Sequence, residues 1–312
     1  MIAPAAHHSI PDIALPNETL TVVFDELPPS TLATITRVSH RFNAVAERML
    51  YASVLITDML AEASPIPYKT LRWCESLLGR PHLLSATKRI HVRWHSDPQY
   101  PPPRHLTTPV VKLADVLGLL RYLESLDLFL GPANLAPTCL EPIHAIERII
   151  RDCYFPMLRY CSLGAEWCKG VQPYTHVLGS FLASLTSLRH LKLQDHHSPL
   201  NIPSQALPFL TSFRGSPDTA AYLLPGRPVQ YLSLLGQDSD VNRENLPRMT
   251  DTSVPLRYLD LSAMSARPIL LRNISTHMPG IEVLKVRLAL RHTLHYALSG
   301  INRGFSQDFH PS

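Results

Sequence analysis

Leu188-Arg189-His190-Leu191-Lys192-Leu193 is one copy of a six-residue phrase, apolar-x-x-apolar-x-apolar, that returns along the chain. Further copies run from Leu123 to Leu128, Leu158 to Leu163, Val229 to Leu234, Leu256 to Leu261 and Ile281 to Val286. Weaker copies run from Thr87 to Val92 and from Leu210 to Gly215. The interval is about 20 to 35 residues, the scale of a stacked repeat. The closing apolar-x-apolar alternation is that of a strand with one buried face. Between copies, Val111 to Leu120, Ile143 to Ile150 and His176 to Leu185 carry helical apolar spacing. The proline-dotted stretch from Pro199 to Pro228 predicts loop or a very short helix. Strand, turn and helix in succession give an α/β fold, with parallel strands inside and helices outside.

The phrase and its period resemble a degenerate leucine-rich repeat, which implies a solenoid over residues 53–299. A doubly wound α/β enzyme shows the same alternation. Two observations favour the solenoid: the strands share one short consensus, and no G-x-G-x-x-G, P-loop or G-x-S-x-G turn follows them. In such a repeat the intervening residues face the concave side. That face would carry Arg89, His91, Arg93, Ser125, Asp127, Phe129, Tyr160, Ser162, His190, Lys192, Gln194, Arg214, Tyr231, Ser233, Tyr258, Asp260, Lys285 and Arg287. Basic and aromatic types predominate, and both are enriched in binding hot spots. Arg89, Arg93, Tyr160, His190, Lys192, Tyr231, Tyr258 and Lys285 are therefore the candidate target-binding set, for an acidic or phosphorylated segment of a partner protein. The plain alternative is a solvated polar sheet face.

Toward the N-terminus, Leu20, Val23, Phe24 and Leu27 recur at helical spacing after Pro16, and Pro28-Pro29 ends that helix. Ser30 is placed to cap a second helix carrying Leu32 and Ile35, and a third starts near Ser39 with Val38, Phe42, Val45 and Met49. Three short helices bury little alone and need a partner or neighbour; a helical cap on the solenoid is one reading. The order Leu15-Pro16-Asn17-Glu18, Val23-Phe24, Leu27-Pro28 and Arg37-Val38-Ser39-His40-Arg41-Phe42 resembles the F-box motif over residues 13–52, with Phe42 where Trp is frequent. The resemblance implies docking onto the Skp-type linker subunit of a cullin-RING ubiquitin ligase. By position, Leu15, Pro16, Leu20, Val23, Phe24 and Leu32 are expected at or just under that interface.

Composition narrows the classes. The chain has 312 residues, 45% of them hydrophobic and 17% charged, with a net charge of +4 and no run of basic residues. Nothing concentrates a basic face, so nucleic acid is not an expected partner. Five Cys (Cys74, Cys139, Cys153, Cys161, Cys168) without CxxC spacing predict buried free thiols in a reducing compartment. No secretory leader and no membrane-length apolar run are read, so a cytoplasmic or nuclear location is expected. Among 16 His, the pairs His7-His8 and His196-His197 lack ligand companions beyond Asp195, and are read as tail and loop histidines rather than metal ligands. Asp238-Ser239-Asp240 resembles the opening of a calcium loop but lacks its Gly and closing Glu, and reads as a polar loop. Pro98 and Pro101-Pro102-Pro103 predict a stiff spacer. Residues 1–12 and 300–312 are expected to be flexible, with Leu290, Leu294, Tyr296, Ala297 and Leu298 as the only capping material. Neither cofactor nor catalytic residue is expected. The reading is a non-enzymatic substrate-recognition adaptor of an SCF-type ligase; the alternative is a non-catalytic interaction scaffold whose first helices only cap the solenoid. A hydrolase is a third class, without an interpretable Ser, His and acid motif.

Overall fold

The computed structural model describes residues 15–96, 106–131, 143–166, 173–242 and 244–288. The expectations for residues 1–12, His7-His8, the prolines at 98 and 101–103, Cys139, Cys168, the capping residues beyond 289 and the tail lie outside the described residues. The chain divides into two compact units, Met1–Val54 and Leu55–Ser312.

The first unit has three helices: α1 (Asn17–Asp25), α2 (Pro29–Ile35) and α3 (His40–Ala52). Pro16 precedes α1 in an extended conformation, and Ser39 caps α3 by accepting the Phe42 N–H at 3.2 Å. Pro28, not Ser30, stands at the α2 N-cap, with Pro29 in the first turn, where a missing N–H costs nothing. Leu20, Phe24, Leu32, Val45 and Ala46 form the core, and Leu27, Ile35, Phe42, Met49 and Leu50 pack against it. Phe24 and Phe42 meet edge to face at 5.5 Å between centroids. Val23 and Val38, counted in the apolar stripes of their helices, are exposed. The α1 core needs only the stripe at Leu20 and Phe24, and Val23 lies off it.

The second unit is a nine-stranded sheet whose spatial order is its sequence order. The strands are β1 (Ser53–Leu60), β2 (Arg89–Ser96), β3 (Ser125–Leu130), β4 (Tyr160–Ala165), β5 (His190–Leu193), β6 (Ser212–Gly215), β7 (Tyr231–Leu235), β8 (Tyr258–Ala266) and β9 (Val283–Leu288). From β2 to β9 each pairs in parallel with the next. Parallel neighbours need a crossover, and helices supply all of these but one: α5 (Thr107–Leu119), α6 (Ala145–Ile150), α7 (Thr175–Ala183), α8 (Pro217–Leu223), α9 (Asn245–Thr250) and α10 (Pro268–His277), while β5 and β6 are joined by a helix-free loop and α4 (Tyr68–Leu78) lies between β1 and β2. This is the expected α/β repeat, consistent with a leucine-rich-repeat-like solenoid. The consensus apolar residues fill the buried face, among them Ile90, Val92, Leu126, Leu128, Leu163, Leu191, Leu193, Phe213, Leu232 and Leu259, all at most 2% exposed. Each such burial is worth roughly 2 kcal/mol.

The proline-rich stretch contains one short strand, β6, and one short helix, α8. Its backbone is gathered by Arg227, only 3% exposed. The guanidinium donates to the carbonyls of Ala206 (3.0 Å), Pro203 (2.9 Å), Ile202 and Pro225 (both 3.4 Å), and also to that of Leu223. One side chain thus ties five carbonyls, of which that of Pro203 also accepts the Ala206 N–H at 2.9 Å.

Candidate functional site

Two surfaces carry the candidate residues, one on each unit. On the first, Leu15, Val22, Val23 and Val38 expose roughly half or more of their surface (48%, 70%, 51% and 65%), and Pro16 is exposed beside them in sequence. So much exposed apolar side chain on three short helices favours association with a partner. Of the six residues expected at or just under the linker interface, Leu15, Pro16 and Val23 are outward. Leu20, Phe24 and Leu32 are 3%, 4% and 5% exposed and belong to the unit's own core, where they hold the helices together beneath the outward residues. Arg41 Nε donates to Asn17 Oδ1 at 2.9 Å, fixing the start of α3 against the start of α1.

On the second unit, the face away from the helices is built of ladders. Arg89, Ser125, Tyr160, His190, Ser212, Tyr231 and Tyr258 stand side by side in the first, continued by Val283 on β9. His91, Asp127, Ser162, Lys192, Arg214, Ser233, Asp260 and Lys285 form the second. The period-two expectation thus places every candidate target-binding residue on one face. In the first ladder Tyr231 and Tyr258 stack at 4.3 Å and 12°, and Tyr160 lies 6.5 Å from His190. Arg93 is engaged within the sheet. Its Nε donates to His91 Nε2 at 2.7 Å, His91 Nδ1 donates to Asp127 Oδ2 at 3.0 Å, and Arg93 Nη2 stands 3.7 Å from the same carboxylate. Lys285 is similarly 3.7 Å from Asp260. Arg214, left out of the candidate set, sits directly opposite Lys192. Its position in the repeat phrase was the available signal, muted because that copy, ending in Gly215, is one of the weakest.

The His196-His197 pair divides. His196 lies in the loop after β5, as expected, but is only 2% exposed and serves as a buried tie: Nε2 meets Thr175 Oγ1 and Nδ1 meets Thr219 Oγ1, each at 3.1 Å. Beside it, Asp195 accepts from Tyr174 Oη and from His144 Nε2, each at 3.1 Å, while His144 Nδ1 accepts the Ile146 N–H. Asp238–Asp240 is a single 3-10 turn, and Asn245 donates to the Asp240 carbonyl at 2.6 Å. Cys74, Cys153 and Cys161 are free and buried, and burial pushes the first two thiols up to about 12. Among the described residues no cluster of His, Cys and acid side chains is arranged to hold a metal ion, and no helix is long and apolar enough to cross a membrane.

In comparison with known families, residues 13–51 match the F-box domain. No curated protein matches the chain.

Proposed function

From the F-box domain at residues 13–51, the module type that attaches SCF-type ubiquitin-ligase adaptors to a Skp-type linker subunit, we propose that this chain is a substrate-recognition adaptor. It docks the linker through Leu15, Pro16, Val22 and Val23, and holds a target protein on the ladder face of its sheet. The observation that carries the reading is the exposure of these apolar residues on a unit whose own core is already complete without them. The adaptor transfers no ubiquitin; it raises the effective concentration of the target at the ligase. Its place of work is the cytoplasm or the nucleus. The target contributes an acidic or phosphorylated segment, matched to the basic and aromatic residues of the ladder face.

Co-purification of the full chain with a Skp-type linker subunit is the test, comparing wild type with Leu15→Ala/Pro16→Ala and with Val22→Asp/Val23→Asp. A stoichiometric complex lost in both variants is the expected result. If the folded wild-type chain ignores the linker, the helices are a cap and the non-catalytic scaffold reading takes its place.

A further inference from the structure

The second ladder changes character along the sheet. At one end Asp127 is engaged by His91 and Arg93. At the other, Asp260 Oδ1 accepts the Ser262 N–H at 2.8 Å, and Asp260 Oδ2 lies 3.7 Å from Lys285. Between them, across β4 to β7, the ladder reads Ser162, Lys192, Arg214, Ser233. Two cations therefore stand directly opposite each other on adjacent strands, an arrangement that is destabilising when nothing lies between them. Among the described residues neither is within ion-pair distance of a carboxylate.

Their surroundings hold unused hydrogen-bonding capacity. Arg214 Nε, Gln194 Nε2 and the Ser233 hydroxyl are buried without a hydrogen-bond partner. Ser162 and Ser233 themselves are 0% and 1% exposed. Folded proteins leave few buried polar groups unpaired, and a group of them on one patch points to a missing ligand. Burial holds the Lys192 ammonium below its usual range, opposed by Asp127 and reinforced by Arg214 and Arg93. An anion at this point would relieve both costs.

We propose that Lys192 and Arg214 form the seat of a phosphate monoester, with Ser162 and Ser233 bracketing the pair. The inference rests on the ladder face being the target surface. A phosphate monoester carries nearly two charges at neutral pH and three acceptor oxygens, enough to neutralise both cations. A carboxylate neutralises one. The guanidinium supplies a planar fork and the ammonium a point charge, the two complementary ways of holding phosphate.

The full chain is titrated with inorganic phosphate, and separately with a phosphoserine peptide flanked by glycines, at constant ionic strength with unfolding temperature as the readout. Both ligands raise the wild-type transition. Arg214→Gln and Lys192→Met each weaken the response roughly tenfold or more. In chloride alone, Arg214→Gln melts no lower than wild type because the like-charge contact is gone, which separates lost binding from lost folding. A peptide effective well below the concentration of inorganic phosphate assigns the group to a protein target; equal potency assigns it to a soluble phosphate, and either supports the seat. No wild-type response, or equal responses in wild type and both variants, overturns it. The linker co-purification is run on the same variants. A retained complex without a phosphate response sinks the seat alone, whereas a wild-type chain that answers phosphate but ignores the linker sinks the adaptor reading alone.

Discussion

Both ring nitrogens of His196 are spent on hydroxyls in a buried setting. Burial lowers its pKa to about 4, with Asp195 opposing and His197 and His144 adding to the shift. The unfolded chain takes up this proton near pH 6.5 and the folded chain only near 4. Stability is therefore complete above about pH 6.5 and falls as the pH drops toward 4. Between pH 8 and pH 5 the loss from this residue is about 2 kcal/mol. Urea midpoints at the two pH values should show that difference in wild type, and a smaller one in His196→Asn; equal differences would remove His196 from the account. The thiols allow a second check. With pKa values near 12, Cys74 and Cys153 should resist alkylation at pH 8 until the chain unfolds, as read by peptide mass spectrometry. The burial of these cysteines was legible from their number and spacing. That of His196 was not, because Thr175 and Thr219 reach it from separate helices and no local pattern joins them.

At the scale of elements, the copies of the repeat phrase marked their strands because apolar and polar residues alternate there. β1 escaped that reading for a physical reason. Its inward positions are Ile56, Asp58 and Leu60, while Leu55 and Met59 face outward, so alternation is lost. The inward carboxylate has a task. Asp58 accepts the Lys69 and Thr70 N–H groups at 2.9 and 3.0 Å and the Thr70 hydroxyl at 2.7 Å, capping α4 from a neighbouring strand. Thr70 Oγ1 in turn accepts the Trp94 Nε1–H at 2.9 Å. α4 turns Thr70, Trp73, Cys74 and Leu77 inward. The turns between Pro199 and Pro228 were legible as irregular, but their organiser was not, since a lone Arg in a loop sequence reads as solvated. Arg227→Met keeps much of the volume and removes every donor, and should cost about 3 kcal/mol or more in equilibrium unfolding. Arg227→Lys should recover only part of this, because an ammonium lacks the fork that spans several carbonyls. A surface-like cost of less than about 0.5 kcal/mol would show that the carbonyls find other partners.

For the molecule as a whole, the candidate sites were legible to different depths. Helical spacing located the first unit, but could not separate Leu20 and Phe24, which build it, from Val22 and Val23, which face outward. Period two located the ladder face, but could not tell Arg93, held by His91 and Asp127, from Arg214, whose Nε has no hydrogen-bond partner, because that distinction depends on which strand lies alongside. The two surfaces belong to different compact units, so their effects should separate. Lys192→Met/Arg214→Gln should leave linker capture unchanged, and Val22→Asp/Val23→Asp should leave the phosphate response unchanged, both measured on one set of preparations. The order of the sheet carries a further consequence. Each strand touches only the strands before and after it, so cooperativity is handed from neighbour to neighbour, as in a one-dimensional array. A lesion at Phe213 in β6 would therefore not weaken the sheet evenly. It would break the array into two shorter ones, and amide exchange would quicken outward from the break in both directions, like a zipper opened at its middle.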